Sequence, residues 1–403
     1  MAFGLKVFGV PPTASGGEPV DFSLTEEQSL IQRTAAEFVD REVTPHVREW
    51  EAKGSIPRDV TRKMAELGFL GGPVPAEYGG AGMDYVSFML LMEEISRGSS
   101  SLRTTISVQT SLAETTLLNF GNEAQKQGWL VPLAKGEKLG AWALTEPNAG
   151  SDAANQQTTA KLDGGEWVLN GAKRFISNGG IADYVVVFAR EPGTTRHDGI
   201  SVFLVPKGTK GFTTVREETT TKLGLRASPT ADLAFEDCRI PADYLLGKQG
   251  DGWATAMFVL NHGRLGVAAG GVGVMRASFE AAVKYAKERK AFNRPIGDFQ
   301  LVKEHLAEMA LAVDAGRLLV LRAAWMKDRK MDNTLEVSMA KLFCARMAVD
   351  VADRAIQVHG GYGFSGDFDV ERYWRDARIL GLYEGTNEIQ KIIIADKVLD
   401  KGT

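Results

Sequence analysis

The hydrophobic period of this chain changes twice, and those two changes limit its possible architecture more than any single motif does. From Asp21 to about Gly140 apolar residues recur at three- and four-residue spacing. From there to about Trp253 they come in short or alternating runs split by turn residues, and beyond Trp253 the helical spacing returns. Helices, strands, helices in 403 residues predict an α+β multidomain chain. Its expected parts are an extension over 1–20, an N-terminal helical domain over 21–138, a middle β-barrel or sandwich domain over 139–250, and a C-terminal four-helix-type bundle over 251–403.

Thr25 and Gln28 have capping-box spacing and start a long helix expected to reach Lys53. Pro57, in the favoured first-turn position, starts another that stops at Gly68. Residues 84–97, 103–120 and 123–135 also read as helices. In the middle part Ala141 to Leu144, Trp167 to Asn170, Tyr184 to Ala189, Ile200 to Val205, Phe212 to Val215 and Ala231 to Glu236 read as strands, with Gly164-Gly165 as a hairpin turn. Helices are then expected over 253–288, 298–328, 334–360 and 387–400.

A net charge of −4 argues against a general electrostatic affinity for nucleic acid or anionic membrane. The two cysteines, Cys238 and Cys344, stand alone, without the spacing of a disulfide framework or a zinc site. The longest weakly polar run, Leu265 to Met275, is far below the ~20 residues of a membrane span. Residues 1–20 carry neither a signal-peptide pattern nor any Arg, so the expected location is the cytoplasm.

Four stretches carry residues suited to chemistry. Tyr383-Glu384-Gly385-Thr386-Asn387-Glu388-Ile389-Gln390 sets a carboxylate beside a glycine, just before a helix for which Asn387 and Gln390 have capping-box spacing. Leu144-Thr145-Glu146-Pro147-Asn148-Ala149-Gly150-Ser151-Asp152 offers hydroxyls and accessible backbone N–H groups, or simply an Asx or Ser turn. Arg289-Lys290-Ala291-Phe292-Asn293, with Gln300 eleven residues after the Arg, offers a planar donor suited to phosphate, or a solvated loop charge. Gln357-Val358-His359-Gly360-Gly361 is a glycine-rich helix end that can bare N–H groups to phosphate or merely stop a helix; His359 reads as an ordinary packed or exposed histidine.

Together with the α, β, α order, these stretches resemble the acyl-CoA dehydrogenase family over nearly the whole chain. The resemblance implies FAD as cofactor, a CoA thioester as substrate, and Glu384 as the base that removes the α-proton while the β-hydrogen passes as hydride to flavin N5. It places Leu144, Thr145, Ser151, Phe175, Ser177, Thr386 and Glu388 at the flavin, and Arg289, Phe292, Gln300, Gln357 and Gly361 at the same cofactor, partly from a neighbouring subunit of a homotetramer. Ser151, Arg264, Tyr383 and Gly385 are placed at the thioester, and electron-transfer flavoprotein is the implied acceptor. Phe175-Ile176-Ser177-Asn178 has Phe and Ser where the family carries Trp and Thr, Asn293 replaces the usual Gly, and Gly263 stands where the isovaleryl and long-chain branches carry their base.

The run around Lys222 to Arg226 is most similar to the short-chain branch, whereas Ser99 to Leu112 resembles the acyl pocket of glutaryl-CoA dehydrogenase. There Arg103 and Ser107 match the pair holding a terminal carboxylate, although Ser96 stands where that branch carries a Glu. An unpaired buried guanidinium is costly, so an inward Arg103 implies an anionic partner. The other possibilities are an Arg103 turned outward or paired with an acid such as Glu94. The expected substrate is therefore a glutaryl- or substituted succinyl-type thioester, with a short-chain or branched monocarboxylic acyl-CoA as the alternative. An acyl-CoA oxidase passing electrons to oxygen and a DNA-binding relative are the remote rivals, the latter opposed by the acidic charge.

Overall fold

A computed structural model describes residues 22–400; the extension expected over 1–20 lies outside them. The first part holds α1 (Glu26–Phe38), α2 (Val47–Lys53), α3 (Arg58–Glu66), α4 (Tyr85–Gly98), α5 (Ser100–Ser107), α6 (Thr115–Phe120) and the short α7 (Glu123–Gln125) and α8 (Val131–Ala134). The Thr25–Gln28 box closes as expected, each backbone N–H meeting the other's side-chain oxygen at 3.1 Å. The helix does not run unbroken to Lys53: a π turn (Val39–Val43) and a 3₁₀ turn (Thr44–His46) intervene, because Pro45 has no N–H to give. Pro57 stands one position outside α3, at its N-cap. The helix expected from 103 starts at Ser100, where the Ser99 hydroxyl accepts the Leu102 N–H at 3.2 Å, and a π turn (Val108–Glu114) joins α5 to α6.

The middle part is one eight-stranded sheet of β1 (Gly140–Ala143), β2 (Thr159–Asp163), β3 (Glu166–Ser177), β4 (Tyr184–Arg190), β5 (Ile200–Pro206), β6 (Phe212–Glu218), β7 (Thr230–Pro241) and β8 (Leu245–Leu246). Its order is β6-β7-β3-β2-β4-β5-β8, with β1 parallel to β4. Gly164-Gly165 turns β2 into β3, both with positive φ. β2 escapes a reading by pattern because only Ala160 of its five residues is buried. Within the β3–β7 pairing the register slips between Lys173 and Ile176, and Phe175 takes φ +58° at the slip.

The last part is α9 (Gly252–Glu288), α10 (Gln300–Asp328), α11 (Thr334–His359), α12 (Val370–Ala377) and α13 (Asn387–Val398). α9 is the axis of the molecule: its residues from 262 to 275 are all buried, packed among α4, α10 and α11 in a core shared with α1. Gly271 and Gly273 allow that packing, since a Cβ there would lie 2.9 Å from the Cys344 side chain and 2.3 Å from the Glu93 carbonyl. α12 has little apolar signal because buried charged residues, Arg372 and Asp376, face inward on it. Among the described residues no helix is long and apolar enough to cross a membrane.

Candidate active site

A cleft of about 1130 Å³ lies where the three parts meet, and Leu144, Thr145, Ser151, Phe175, Ser177, Arg103, Ser107, Arg264, Tyr383, Glu384 and Gly385 all line it. At its inner end the chain leaves the 3₁₀ turn Arg378–Gly381 and makes a left-handed turn, Glu384 at φ +51° and Gly385 at φ +90°. A non-glycine residue in that region carries strain that the surroundings must hold. Arg264 Nε donates to the Glu384 carbonyl at 3.1 Å, and Lys341 Nζ and Gln390 Nε2 donate to the Gly385 carbonyl at 2.7 and 3.1 Å. The cap of α13 is Thr386, whose hydroxyl accepts the Ile389 N–H; the expected Asn387–Gln390 box does not form because the Gln390 amide is spent on Gly385.

The Glu384 carboxyl stands over Gly263 of α9, where a Cβ would lie only 2.0 Å from its Oε2. That oxygen is shut off from solvent and has no hydrogen-bond partner among the described residues. Burial raises the Glu384 pKa to about 7, against the pull of Arg103, Lys341 and Arg264. A carboxylate poised near neutrality, with one oxygen shut off from solvent, is suited to taking a proton from carbon.

Arg103 is 1% exposed and turned into the cleft. Its Nη2 donates to the Tyr383 hydroxyl, its guanidinium carbon lies 5.8 Å from that ring's centroid, and its Nε has no partner among the described residues. Neither of the other possibilities holds: Glu94 accepts instead from Arg97 and Arg276. α9 makes room with Gly270, whose Cβ would lie 2.7 Å from the Arg103 Nε. Beside it the Ser107 and Ser111 hydroxyls are buried and have no partner among the described residues, while Ser96 is spent on the Gly270 carbonyl at 2.8 Å. Ser111 was not singled out from sequence; its position four residues after Ser107 was the available signal.

Across the cleft, Phe175 is 56% exposed at the β3 slip, with the Arg174 guanidinium 4.6 Å over its ring. The Leu144 to Asp152 loop is tied down by an ion pair that sequence reasoning missed. Lys173 Nζ, without solvent contact, donates to Leu144 O at 3.1 Å, Glu146 Oε1 at 2.7 Å and Gln156 Oε1 at 2.9 Å. Its inward place on alternating β3 was the one clue. An exposed aromatic ring, a loop bearing the Thr145 and Ser151 hydroxyls, and a long cleft between them fit a dinucleotide cofactor with a planar ring system.

The remaining expected cofactor residues lie elsewhere. Arg289 and Gly361 line a separate cavity of about 530 Å³, where Arg289 sits 5.5 Å over the Tyr362 ring. Phe292 is 88% exposed at φ +50°, and Gln300 and Gln357 are exposed. Thr386 is occupied as a cap and Glu388 points to solvent. His359 is packed, stacked on Tyr285 at 4.2 Å and bonded to Ala355 O, as an ordinary core histidine is.

Helical parts before and after a single sheet, with this cleft at their junction, match the α, β, α order read from the sequence. Models of the acyl-CoA dehydrogenase N-terminal, middle and C-terminal domains match residues 25–137, 141–238 and 250–399. A short-chain specific acyl-CoA dehydrogenase of Clostridium acetobutylicum is 44% identical over 94% of this chain and all of its own length. A chain from the structure of the electron transferring flavoprotein of Acidaminococcus fermentans superposes with a TM-score of 0.92 at 43% identity, over 94% of this chain and 100% of that one. Butyryl-CoA dehydrogenase of Megasphaera elsdenii superposes at 0.92 and 39% identity, over 94% and 100%. A glutaryl-CoA dehydrogenase in complex with glutaryl-CoA superposes at 0.91 and 38%, over 95% and 98%. The chain belongs to the acyl-CoA dehydrogenase family and is an FAD-dependent oxidoreductase. The names of these relatives favour the short-chain alternative over the glutaryl-type substrate expected first.

Proposed function

We propose that the protein dehydrogenates a short acyl-CoA thioester to the 2-enoyl-CoA, with Glu384 as the α-proton base. The observation that carries this is the Glu384 carboxyl, its Oε2 shut off from solvent, raised toward neutrality and held over Gly263 at the inner end of the cleft. Thr145, Ser151, Phe175, Ser177 and the backbone from Leu144, which line the cleft, would hold the FAD ring, and Tyr383, Gly385 and Arg264 would border the thioester. Bound FAD supplies the acceptor for the β-hydride. The Glu384 backbone N–H stabilises the developing enolate, and the closed inner end keeps water from the deprotonated carbon. Arg289, Phe292, Gln300, Gln357 and Gly361 serve the cofactor across a subunit boundary of a cytoplasmic homotetramer, and electron-transfer flavoprotein takes the electrons. Stopped-flow bleaching of the flavin with butyryl-CoA tests the reading; a FAD-loaded protein that no short thioester reduces contradicts it.

A second reading, within the first, is that the acyl chain ends in a carboxylate. The Arg103 Nε and the Ser107 and Ser111 hydroxyls, none with a partner among the described residues, favour it, since buried donors without acceptors are costly until a ligand supplies them. With Ser96 spent on Gly270, no carboxylate stands there to assist loss of CO₂, and the reaction ends at the enoyl thioester. Competition between glutaryl-CoA and butyryl-CoA decides between the two chain types.

A further inference from the structure

Lys341 has no solvent exposure, and its neighbours along α11 are Val337, Ala340, Cys344 and Ala345, all buried. A Met or Leu fills such a place without the cost of burying an ammonium. The hydrogen bond that Lys341 makes goes to the Gly385 carbonyl, 2.7 Å away and next to the base. Arg264 holds the preceding carbonyl, that of Glu384. Two cations from two helices thus grip consecutive peptide groups of a left-handed turn, and both also face the carboxylate they position.

We propose that Lys341 is a positioning residue for the α-proton base: its ammonium pins the Gly385 carbonyl so that the strained turn keeps Glu384 over Gly263. The charged groups facing Glu384 are Arg103 from α5, Arg264 from α9 and Lys341 from α11; Glu388 from α13 acts on Lys341 in turn. Burial lowers the Lys341 pKa to about 8, while Glu384 and Glu388 hold it up and Arg264 opposes them. At neutral pH the ammonium therefore remains mostly charged. The inference rests on the reading of Glu384 as the base. Removing a positive charge beside an acid favours its protonated form, so the acid limb of the rate profile moves to higher pH.

The test compares FAD-loaded parent, Lys341→Met, Lys341→Gln and Lys341→Arg, following flavin bleaching by butyryl-CoA and glutaryl-CoA from about pH 5 to about pH 9. The acid limb of Lys341→Met is expected about one unit higher, so that its rate at pH ~6 is ~10-fold lower beyond any uniform loss, with Lys341→Arg returning the limb toward the parent. Infrared difference spectra read the same shift without turnover, as the pH at which the protonated carbonyl band absent from Glu384→Gln disappears. If Lys341→Met does not accumulate folded, Lys341→Gln, also neutral, is read in its place. A neutral variant whose limb and band both stay at the parental pH overturns the inference and leaves Lys341 a packing residue. A parent whose flavin neither thioester reduces overturns the base assignment itself, and this inference with it.

Discussion

Two buried charged clusters flank α4 and α9, and they differ in whether their charges are matched. In the first, Glu93 accepts from Arg276 and Arg317, and Glu94 from Arg97 and Arg276. In the second, the Arg103 Nε, the Ser107 and Ser111 hydroxyls and the Glu384 Oε2 have no partner among the described residues. Both clusters cost desolvation; the first recovers it in direct ion pairs, the second only in part, through longer-range attraction and the Arg103–Tyr383 bond. A saturated cluster fastens helices together, whereas a deficit persists where a ligand completes it.

The sharpest way to break this contrast is at Glu384. Glu384→Gln is expected to keep the fold and bound FAD while lowering flavin reduction by ~10²–10⁴-fold, read by stopped flow. Arg103→Leu comes next: the ratio of kcat/KM for glutaryl-CoA over butyryl-CoA is expected to fall by about 2–5 kcal/mol in free-energy terms, the range for truncating one partner of a buried charge pair. An unchanged ratio removes the carboxylate reading. In the saturated cluster, Arg276→Leu is expected to lower stability by ~1–3 kcal/mol in chemical denaturation, the lower range because the arginine is partly exposed, with kcat/KM of the folded enzyme little altered. A loss of activity at full stability reverses the roles given to the two clusters.

A further effect is on stability against pH. Because the folded pKa of Glu384, about 7, exceeds its ordinary 4.5, the folded state retains a proton there that the unfolded chain releases. That contribution opposes unfolding fully below the ordinary value and is lost as pH rises toward 7. Glu384→Gln escapes the loss, so it is expected to gain on the order of 3 kcal/mol over the parent at pH ~8 and nothing below pH ~4. Parallel stability curves contradict the shifted pKa.

Much of this was legible in the sequence because it is local. The Thr25–Gln28 box, the Gly164-Gly165 turn and the α9, α10 and α11 periods depend on neighbours along the chain. What escaped was decided across space. Whether Arg103 turns inward depends on room made by Gly270, on a helix 167 residues further along the chain. Lys341 looks in sequence like any lysine of an amphipathic helix until the Gly385 carbonyl arrives beside it. α12 and the Glu146–Lys173 pair were missed for the opposite reason, since charge usually signals a solvated face and here it is buried.

The most direct test of Glu384 as the base bypasses electron transfer. With the enzyme in D₂O and its FAD held reduced, so that no hydride can leave, a butyryl or glutaryl thioester is followed by mass spectrometry for deuterium entering the α-carbon. The parent is expected to exchange the α-hydrogens, and Glu384→Gln, folded and FAD-loaded, to exchange them at least ~10²-fold more slowly. Exchange at the parental rate in Glu384→Gln contradicts the assignment of the proton to that carboxylate.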